Sequence, residues 1–164
     1  MHPRPPIHIF TDGASEPDQP ATAAGMIYDP ESQLREFFAY TLPTARVEQW
    51  LAEKSQAINQ VELHPVTVAL KIWKGALADR DVIFWIDNEA ARFGLIRGSS
   101  PVPVSQELVS EAWARISAMA AFPWFERVPS VGNPIDGPSR GDNTLMAALG
   151  FSEVKAPAGY AVGI

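Results

Sequence analysis

Two aspartates in this sequence follow strand-forming runs, and their positions indicate a site for cations. Asp12 ends residues 7–12 and Asp87 ends residues 81–87, both rich in β-branched and aromatic side chains. A carboxylate there is costly to bury unless it is paired or binds a metal. Two neighbouring strands would bring both carboxylates to one edge of a sheet, where a divalent cation relieves their repulsion. The absence of cysteine and of a histidine cluster favours Mg²⁺ or Mn²⁺ over zinc.

Each aspartate also has a purely structural interpretation. Taken singly, an Asp after a strand is more often a turn former or a helix cap than a metal ligand. His64 lies two residues from Glu62 and would point away from it on a helix, so we expect a surface or packing role for His64. The residue types alone leave both interpretations of Asp12 and Asp87 open.

The hydrophobic pattern predicts the elements that must position these residues. Strands are expected over residues 7–12, 21–28, 34–42, 81–87 and 124–128, and helices from near Asn59 to Leu77, over 88–97, behind Ser105 to Ala120 and over 143–149. Asn59, Asn88 and Ser105 are candidate helix caps, and Gly98 is a candidate helix end. Pro65 predicts either a late start or a kink in the first helix. The segment with Trp50, Leu51 and Lys54 is expected to be a loop, and the first three strands an antiparallel meander.

Composition limits the classes of protein that fit. The 164 residues fit one domain, and the net charge of −6 argues against a protein that coats nucleic acid by bulk charge. An enzyme that collects carboxylates for cations stays compatible with that charge. No run approaches the roughly 20 apolar residues that span a bilayer, and no apolar segment follows the N-terminus as in a secretory signal. We therefore expect no membrane association and an intracellular location, cytoplasmic or nuclear. The expected organisation is a proline-rich leader or linker remnant (1–6), one domain (7–150) and a C-terminal tail (151–164).

Four short motifs resemble those of the ribonuclease H fold family in order and context. They are Thr11-Asp12-Gly13-Ala14, Asn59-Gln60-Val61-Glu62-Leu63, Trp85-Ile86-Asp87-Asn88 and Asn133-Pro134-Ile135-Asp136. The most specific piece, residues 128–140, is similar to the C-terminal motif of ribonuclease H domains attached to reverse transcriptases of retroelements and pararetroviruses. The resemblance implies an α/β fold of ribonuclease H type. Its five-stranded mixed sheet would have three antiparallel first strands and helices on both faces.

The same resemblance implies the roles of four carboxylates. Asp12 would bridge two Mg²⁺ ions, for which Mn²⁺ can substitute, Glu62 and Asp87 would hold them, and Asp136 would complete the site. The ions would activate a water and stabilise the leaving 3′ oxygen of the cleaved strand.

Seven further residues are candidates for contact with a bound nucleic acid. Asn59 matches a family position that touches the minor groove, where 2′-hydroxyls distinguish RNA from DNA. Small residues at Gly13 and Ala14 would let the scissile strand approach the backbone. The other candidates are Asn88, Asn133, Arg92 and Arg140. For the two arginines solvated surface is the competing interpretation. For Asn133 the alternatives are that it orients Asp136 or forms a turn before Pro134.

Two departures from the family pattern concern the rate of product release and the binding of DNA. Many members carry a mobile histidine before the last carboxylate, whereas this chain has only His2, His8 and His64. The basic protrusion with which some members hold DNA is also missing, since residues 99–105 contain no Lys or Arg.

Three functions are compatible with the sequence. The first is an endoribonuclease that cuts the RNA strand of RNA/DNA hybrids, related to a retroelement enzyme and working with a reverse transcriptase domain in cis or trans. The second is another nuclease of the same fold that acts on DNA, because fold does not determine substrate. The third is a non-catalytic nucleic-acid-binding scaffold, which the low basicity leaves open.

Overall fold

A mixed β-sheet forms the centre of the computed structural model, which describes residues 3–53 and 57–157. Within these residues the strands are β1 (Ile7–Ala14), β2 (Thr22–Tyr28), β3 (Arg35–Thr41), β4 (Asp81–Ile86), β5 (Phe122–Arg127) and β6 (Ser152–Glu153). Their order across the sheet is β5-β4-β1-β2-β3-β6. The pairs β1/β2 and β2/β3 are antiparallel, and β1/β4, β4/β5 and β3/β6 are parallel.

Helices cover both faces of this sheet. They are α1 (Thr44–Glu53), α2 (Ile58–Ile72), α3 (Lys74–Leu77), α4 (Glu89–Arg97), α5 (Pro103–Ala118), α6 (Asp136–Ser139) and α7 (Thr144–Ala148). On the first face α2 packs on β1 and β2, and α5 packs on α2. On the second face Ile135 and Met146 pack against Ala24, Met26 and Phe37. No helix of the described segments is both long and apolar enough to cross a membrane.

The predicted architecture is confirmed, with one strand more than expected. The first three strands are antiparallel, the sheet is mixed and helices lie on both faces. The additional strand, β6, has two residues and pairs with β3 at Glu36 and Phe37. It lies in the predicted tail, of which residues 158–164 are outside the described part, as are Met1 and His2 of the predicted leader.

The segment around Trp50 was expected to be a loop, and this is wrong, because it forms α1. Trp50 is buried, and Val47 packs against the same core. Val47, Trp50 and Leu51 follow the i, i+3, i+4 spacing of a helix, but a pattern of three residues is too short to distinguish a helix from a loop. Lys54 lies outside the described residues.

Two of the predicted helix caps are wrong, and one is confirmed. The cap position of α2 is Ala57, not Asn59, and α5 begins at Pro103 behind Val102, two residues before Ser105. The Asn88 side chain does cap α4, by accepting a hydrogen bond from the Ala91 N–H. Gly98 ends that helix with a left-handed φ of 70°.

Helix α2 continues through Pro65, and β1 leaves space for the Val61 carbonyl that the proline cannot hydrogen-bond. Proline has no N–H to donate to the carbonyl four residues earlier, here that of Val61. That carbonyl faces Gly13 of β1, where a Cβ atom would lie only 2.6 Å from the Val61 oxygen. The glycine therefore allows α2 to approach β1 at the level of Glu62.

A buried ion pair between Arg80 and Asp29 lies at the end of the sheet where β1 begins. The Arg80 guanidinium donates two hydrogen bonds of 3.0 Å to the carboxylate of Asp29, in the turn after β2. It donates a third to the Pro5 carbonyl, 2.9 Å away, before β1. Both charged side chains are 4% exposed. This arrangement joins the segment before β1, the β2–β3 turn and the start of β4.

Candidate active site

Three carboxylates meet at the other end of the central strands. One oxygen from each of Asp12, Glu62 and Asp87 lies within 4.8 Å of the other two. Asp12 belongs to β1, Glu62 to the second turn of α2, and Asp87 follows β4 directly. Phe10 pairs with Trp85 in the parallel β1/β4 register, so the next residues on that face of the two strands are Asp12 and Asp87. The register explains why these two side chains are neighbours.

The contact between α2 and β1 brings Glu62 to the same point. The close approach at Gly13 lowers the helix onto the strand, and the Gly13 main chain donates a hydrogen bond to the Glu62 carboxylate. Asp12 and Glu62 are both 4% exposed, whereas Asp87 is half-buried. Two of the three charges are therefore withdrawn from water.

This burial and crowding oppose ionisation. Burial, followed by the negative charge of Asp87, raises the pKa of Asp12 to about 7, although a hydrogen bond from Ser139 acts in the other direction. Burial, followed by the charges of Asp87 and Asp12, raises the pKa of Glu62 to about 9. Without a cation, the fully ionised cluster is unfavourable near neutral pH.

The donor set fits a hard divalent cation. Every ligand atom is a carboxylate oxygen, the type that Mg²⁺, Mn²⁺ and Ca²⁺ prefer. Oxygen Oε2 of Glu62 is buried and has no hydrogen-bond partner among residues 3–53 and 57–157. A buried acceptor without a partner is costly, and a cation bound at this atom would remove the cost.

Asp136 lies next to this cluster, at the first position of α6. Its carboxylate acts on Asp12 through its charge and a hydrogen bond, both of which favour the protonated form of Asp12. The Arg140 Nε is 3.3 Å from Asp136 Oδ1 and both side chains are exposed. Among the described residues, the group whose ligand oxygens all lie within 4.8 Å of one another contains Asp12, Glu62 and Asp87 but not Asp136, so Asp136 lies at the edge of the site beside Asp12.

Asn133 anchors the segment that carries Asp136. Its Nδ2 donates to the Thr11 carbonyl of β1 at 3.2 Å, and its Oδ1 accepts from the Ile135 N–H at 3.3 Å. The side chain is 5% exposed. Asn133 thus holds the chain before Asp136 against the strand that carries Asp12.

The other predicted contact residues fall into two groups. Ala14 and Arg140 line a cavity of about 420 Å³, whereas Asn59 lines a separate cleft of about 250 Å³ with Phe93 and Arg97. Asn88 and Arg92 are engaged within the protein instead. The first caps α4, and the second donates to the Phe125 carbonyl at 2.9 Å.

Two serines touch the carboxylates and were not predicted from the sequence. Ser139 Oγ donates to Asp12 Oδ2 at 3.0 Å, and Ser130 Oγ donates to Asp87 Oδ2 at 3.0 Å. They lie three residues after and six residues before Asp136. No spacing rule connects them to the strand ends, because their positions depend on the path of residues 128–140.

His64 has the packing role that was expected for it. It is 3% exposed, its Nδ1 is hydrogen-bonded to the Tyr40 hydroxyl, and its ring packs beside Trp50. Burial, followed by the positive charge of Arg46, lowers the pKa of His64 to about 4. It is a neutral core histidine at physiological pH.

Three of the solved structures that this chain resembles are ribonucleases H. Ribonuclease H1 from the halophilic archaeon Halobacterium salinarum NRC-1 superposes with a TM-score of 0.62 at 17% identity, covering 79% of this chain and 89% of that one. The N-terminal ribonuclease H domain of Rv2228c from Mycobacterium tuberculosis gives 0.60 at 18% identity, covering 88% and 95%. LC11-RNase H1, isolated from compost by a metagenomic approach, gives 0.62 at 17%, covering 78% and 87%. No protein-family model matches the sequence, and no curated protein matches it. The structural likenesses establish a ribonuclease H fold.

Proposed function

We propose that this chain, with its ribonuclease H fold, is a metal-dependent endoribonuclease that hydrolyses the RNA strand of RNA/DNA hybrids. The observation that carries the proposal is the convergence of Asp12, Glu62 and Asp87 oxygens within 4.8 Å at one end of the sheet. A cluster that destabilises its own ionised form is expected where cations are bound.

The proposed roles follow from where each carboxylate is held. Asp12 and Glu62, both buried, would be the ligands with least freedom, and Asp87 would complete the set from the water-exposed side. Asp136 would act from the edge, held by the Asn133 anchor and by Arg140. Two Mg²⁺ ions, or Mn²⁺ in their place, would activate a water and stabilise the leaving 3′ oxygen.

The hybrid would lie across the carboxylates, between the two cavities. Asn59 would contact 2′-hydroxyls in the minor groove, and the exposed guanidinium of Arg140 would contact a phosphate. Gly13 and Ala14 keep side-chain bulk away from the scissile strand. Asn88, Asn133 and Arg92 form hydrogen bonds within the protein. Their proposed role is therefore to hold the elements around the site in place and not to contact the hybrid. We assign the function to residues 7–150.

A retroelement-type enzyme is the proposed lineage, supported by the motif in residues 128–140. A chain with a net charge of −6 and no basic residue in 99–105 has little electrostatic attraction for nucleic acid. A reverse transcriptase domain, in cis or in trans, would supply that attraction. With such a partner, the protein would act inside the cell, in the cytoplasm or the nucleus.

Cleavage of a labelled RNA/DNA hybrid tests the function. The purified chain is incubated with Mg²⁺, with Mn²⁺ or with EDTA, and duplex DNA and duplex RNA serve as substrate controls. We expect metal-dependent loss of only the RNA strand of the hybrid, and loss of that activity in Asp12→Asn.

Two other outcomes would redirect the assignment. Cleavage of DNA would indicate a different nuclease on the same fold. No cleavage, together with no cation bound in a calorimetric titration, would overturn the enzyme and leave a scaffold protein.

A further inference from the structure

Ser139 is the last residue of α6 and is buried against Asp12. Its side chain is 2% exposed, and its Oγ lies 3.0 Å from Asp12 Oδ2 and 2.7 Å from the Asp136 carbonyl oxygen. A hydroxyl has one proton to donate, so these two acceptors compete for it. The serine thus sits between the two acidic residues that β1 and α6 bring to the site.

The main chain of Ser139 is held independently of that hydroxyl. Thr22 of β2 donates its Oγ1 proton to the Ser139 carbonyl at 2.6 Å, and the Ser139 N–H donates to the Ile135 carbonyl at 3.3 Å. Ile135 is itself fully buried. Because the backbone is anchored to the sheet, the hydroxyl has a set position from which it can orient another group.

We infer that Ser139 is a positioning residue that fixes the plane of the Asp12 carboxylate. A hydrogen bond to Oδ2 restrains rotation of the carboxylate, so the other oxygen, Oδ1, keeps a constant direction. A cation that binds Asp12 then does not have to order this ligand first. The inference rests on the proposed metal-dependent function.

The contact of Ser130 with Asp87 shows why burial matters here. It has the same 3.0 Å length, but Ser130 is exposed and water can replace its hydroxyl. Water has no comparable access to a serine that is 2% exposed. Of the two serines, Ser139 is therefore the one whose hydrogen bond to a carboxylate water cannot replace.

Cation binding by Ser139→Ala tests the inference. Titration calorimetry with Mn²⁺ on the metal-free protein should show affinity that is about 10–100-fold weaker than in the unmodified protein, the usual effect of losing a partner of a metal-bound side chain. The Mg²⁺ concentration for half-maximal hybrid cleavage should rise to match, while the rate at saturating Mg²⁺ recovers. Ser139→Thr, which keeps the hydroxyl, should restore the affinity.

Ser105→Ala is the matched control. Ser105 is 3% exposed and its hydroxyl accepts a hydrogen bond from Gln60, so its loss also removes a buried bond near α2. The cation affinity of Ser105→Ala should equal that of the unmodified protein. If Ser139→Ala does not fold, Ser139→Cys, which fills the same space with a much weaker donor, replaces it and should show the same loss.

Two results would overturn the positioning role. They are unchanged affinity in Ser139→Ala, or equal losses in Ser139→Ala and Ser105→Ala, which would indicate general loosening. If the unmodified protein binds no Mn²⁺ and cleaves no hybrid, the proposed function fails first, and the role of Ser139 fails with it.

Discussion

At the scale of single residues, the site gathers carboxylates in a place that disfavours their charged form. Asp12 and Glu62 are buried beside each other and beside Asp87, and the pKa of each is raised. At a pH where both groups ionise, we therefore expect the cation-free protein to be less stable than the same fold with one of these charges removed. Sites of this kind exchange stability for function.

Replacing Asp12 by Asn should lower the activity and raise the stability of the cation-free protein. We expect Asp12→Asn to abolish hybrid cleavage and to raise the thermal midpoint of the metal-free protein at about pH 8. The rise should be roughly 2–4 °C, which corresponds to about 1 kcal/mol in a domain of this size. Asp79→Asn is the control, because Asp79 is exposed and its φ of 57° suits Asn equally well. A lower midpoint in Asp12→Asn would contradict the argument.

Gly13 should be irreplaceable for a steric reason. Gly13→Ala puts a methyl group 2.6 Å from the Val61 carbonyl oxygen, so α2 must move away and take Glu62 with it. We expect a loss of about 1–3 kcal/mol in the free energy of unfolding, together with weaker Mn²⁺ binding. Gly132→Ala meets no atom within 4 Å and should behave like the unmodified protein in urea unfolding and in calorimetry.

The sequence alone identified the residues whose location depends on strand ends. Asp12 and Asp87 were found because each terminates a hydrophobic run, and the parallel register of β1 and β4 then makes them neighbours. Glu62 and Asp136 required the family resemblance, since nothing in a helix or a loop marks one acidic residue among many. Ser139 was missed because its contact with Asp12 is separated by 127 positions and created by the path of α6.

At the scale of elements, strands and helices with long hydrophobic patterns were predicted well from the sequence, whereas the residues at which helices begin were predicted less well. The strands and the helix end at Gly98 follow from periodicity and backbone chemistry. The cap of α5 was misplaced because the side chain of Ser105 serves a tertiary contact, with Gln60, instead of its own helix. Pro65 could not be interpreted alone, because the space for the Val61 carbonyl is provided by Gly13 on another element.

The Arg80–Asp29 pair should dominate the attachment of the β2–β3 turn. Asp29→Asn leaves the buried guanidinium without its buried counter-charge, with the half-exposed Glu31 carboxylate 3.5 Å away as its remaining ion-pair partner. We expect a loss toward the lower end of about 3–5 kcal/mol in urea unfolding. The double variant Arg80→Met, Asp29→Leu should recover much of that loss, since it removes both charges. Glu111→Gln, which breaks the partly exposed pair with Arg115, should cost under about 1 kcal/mol. Similar costs for the two single variants would contradict the importance of burial.

At the scale of the whole molecule, stability should depend on pH from two sides. Asp12 and Glu62 have ordinary pKa values of 3.8 and 4.5, raised to about 7 and about 9 in the fold. The folded protein thus holds protons that the unfolded chain has lost, and stability falls as pH rises through this window. His64 acts oppositely: its pKa falls from 6.5 to about 4, so its contribution is present above pH 6.5 and is lost as pH falls through about 4.

Thermal melts across pH check both signs. In EDTA the midpoint should decline as pH rises toward 9, and below about pH 6.5 the opposite contribution of His64 should make that decline shallower than the two carboxylates alone would give. Saturating Mg²⁺ should remove the alkaline decline and raise the midpoint, with a gain near 2.7 kcal/mol at a hundredfold excess over Kd. An alkaline decline of equal slope with and without Mg²⁺ would show that the carboxylate cluster is not its source.

The two ends of the central strands differ in how well their charges agree with the fold. Around Arg80 the neighbouring carboxylates favour the charged guanidinium, whereas around Asp12 the neighbouring charges oppose ionisation. In the terms of energy landscapes, frustration is concentrated at the end of the sheet that carries Asp12, Glu62 and Asp87. Local opening is expected to start there, because the native contacts at that end work against one another. In the absence of cations, residues 129–142 should detach before the sheet does. Their amide protons should then exchange with solvent faster than those of β1 and β4, and bound cations should slow that exchange.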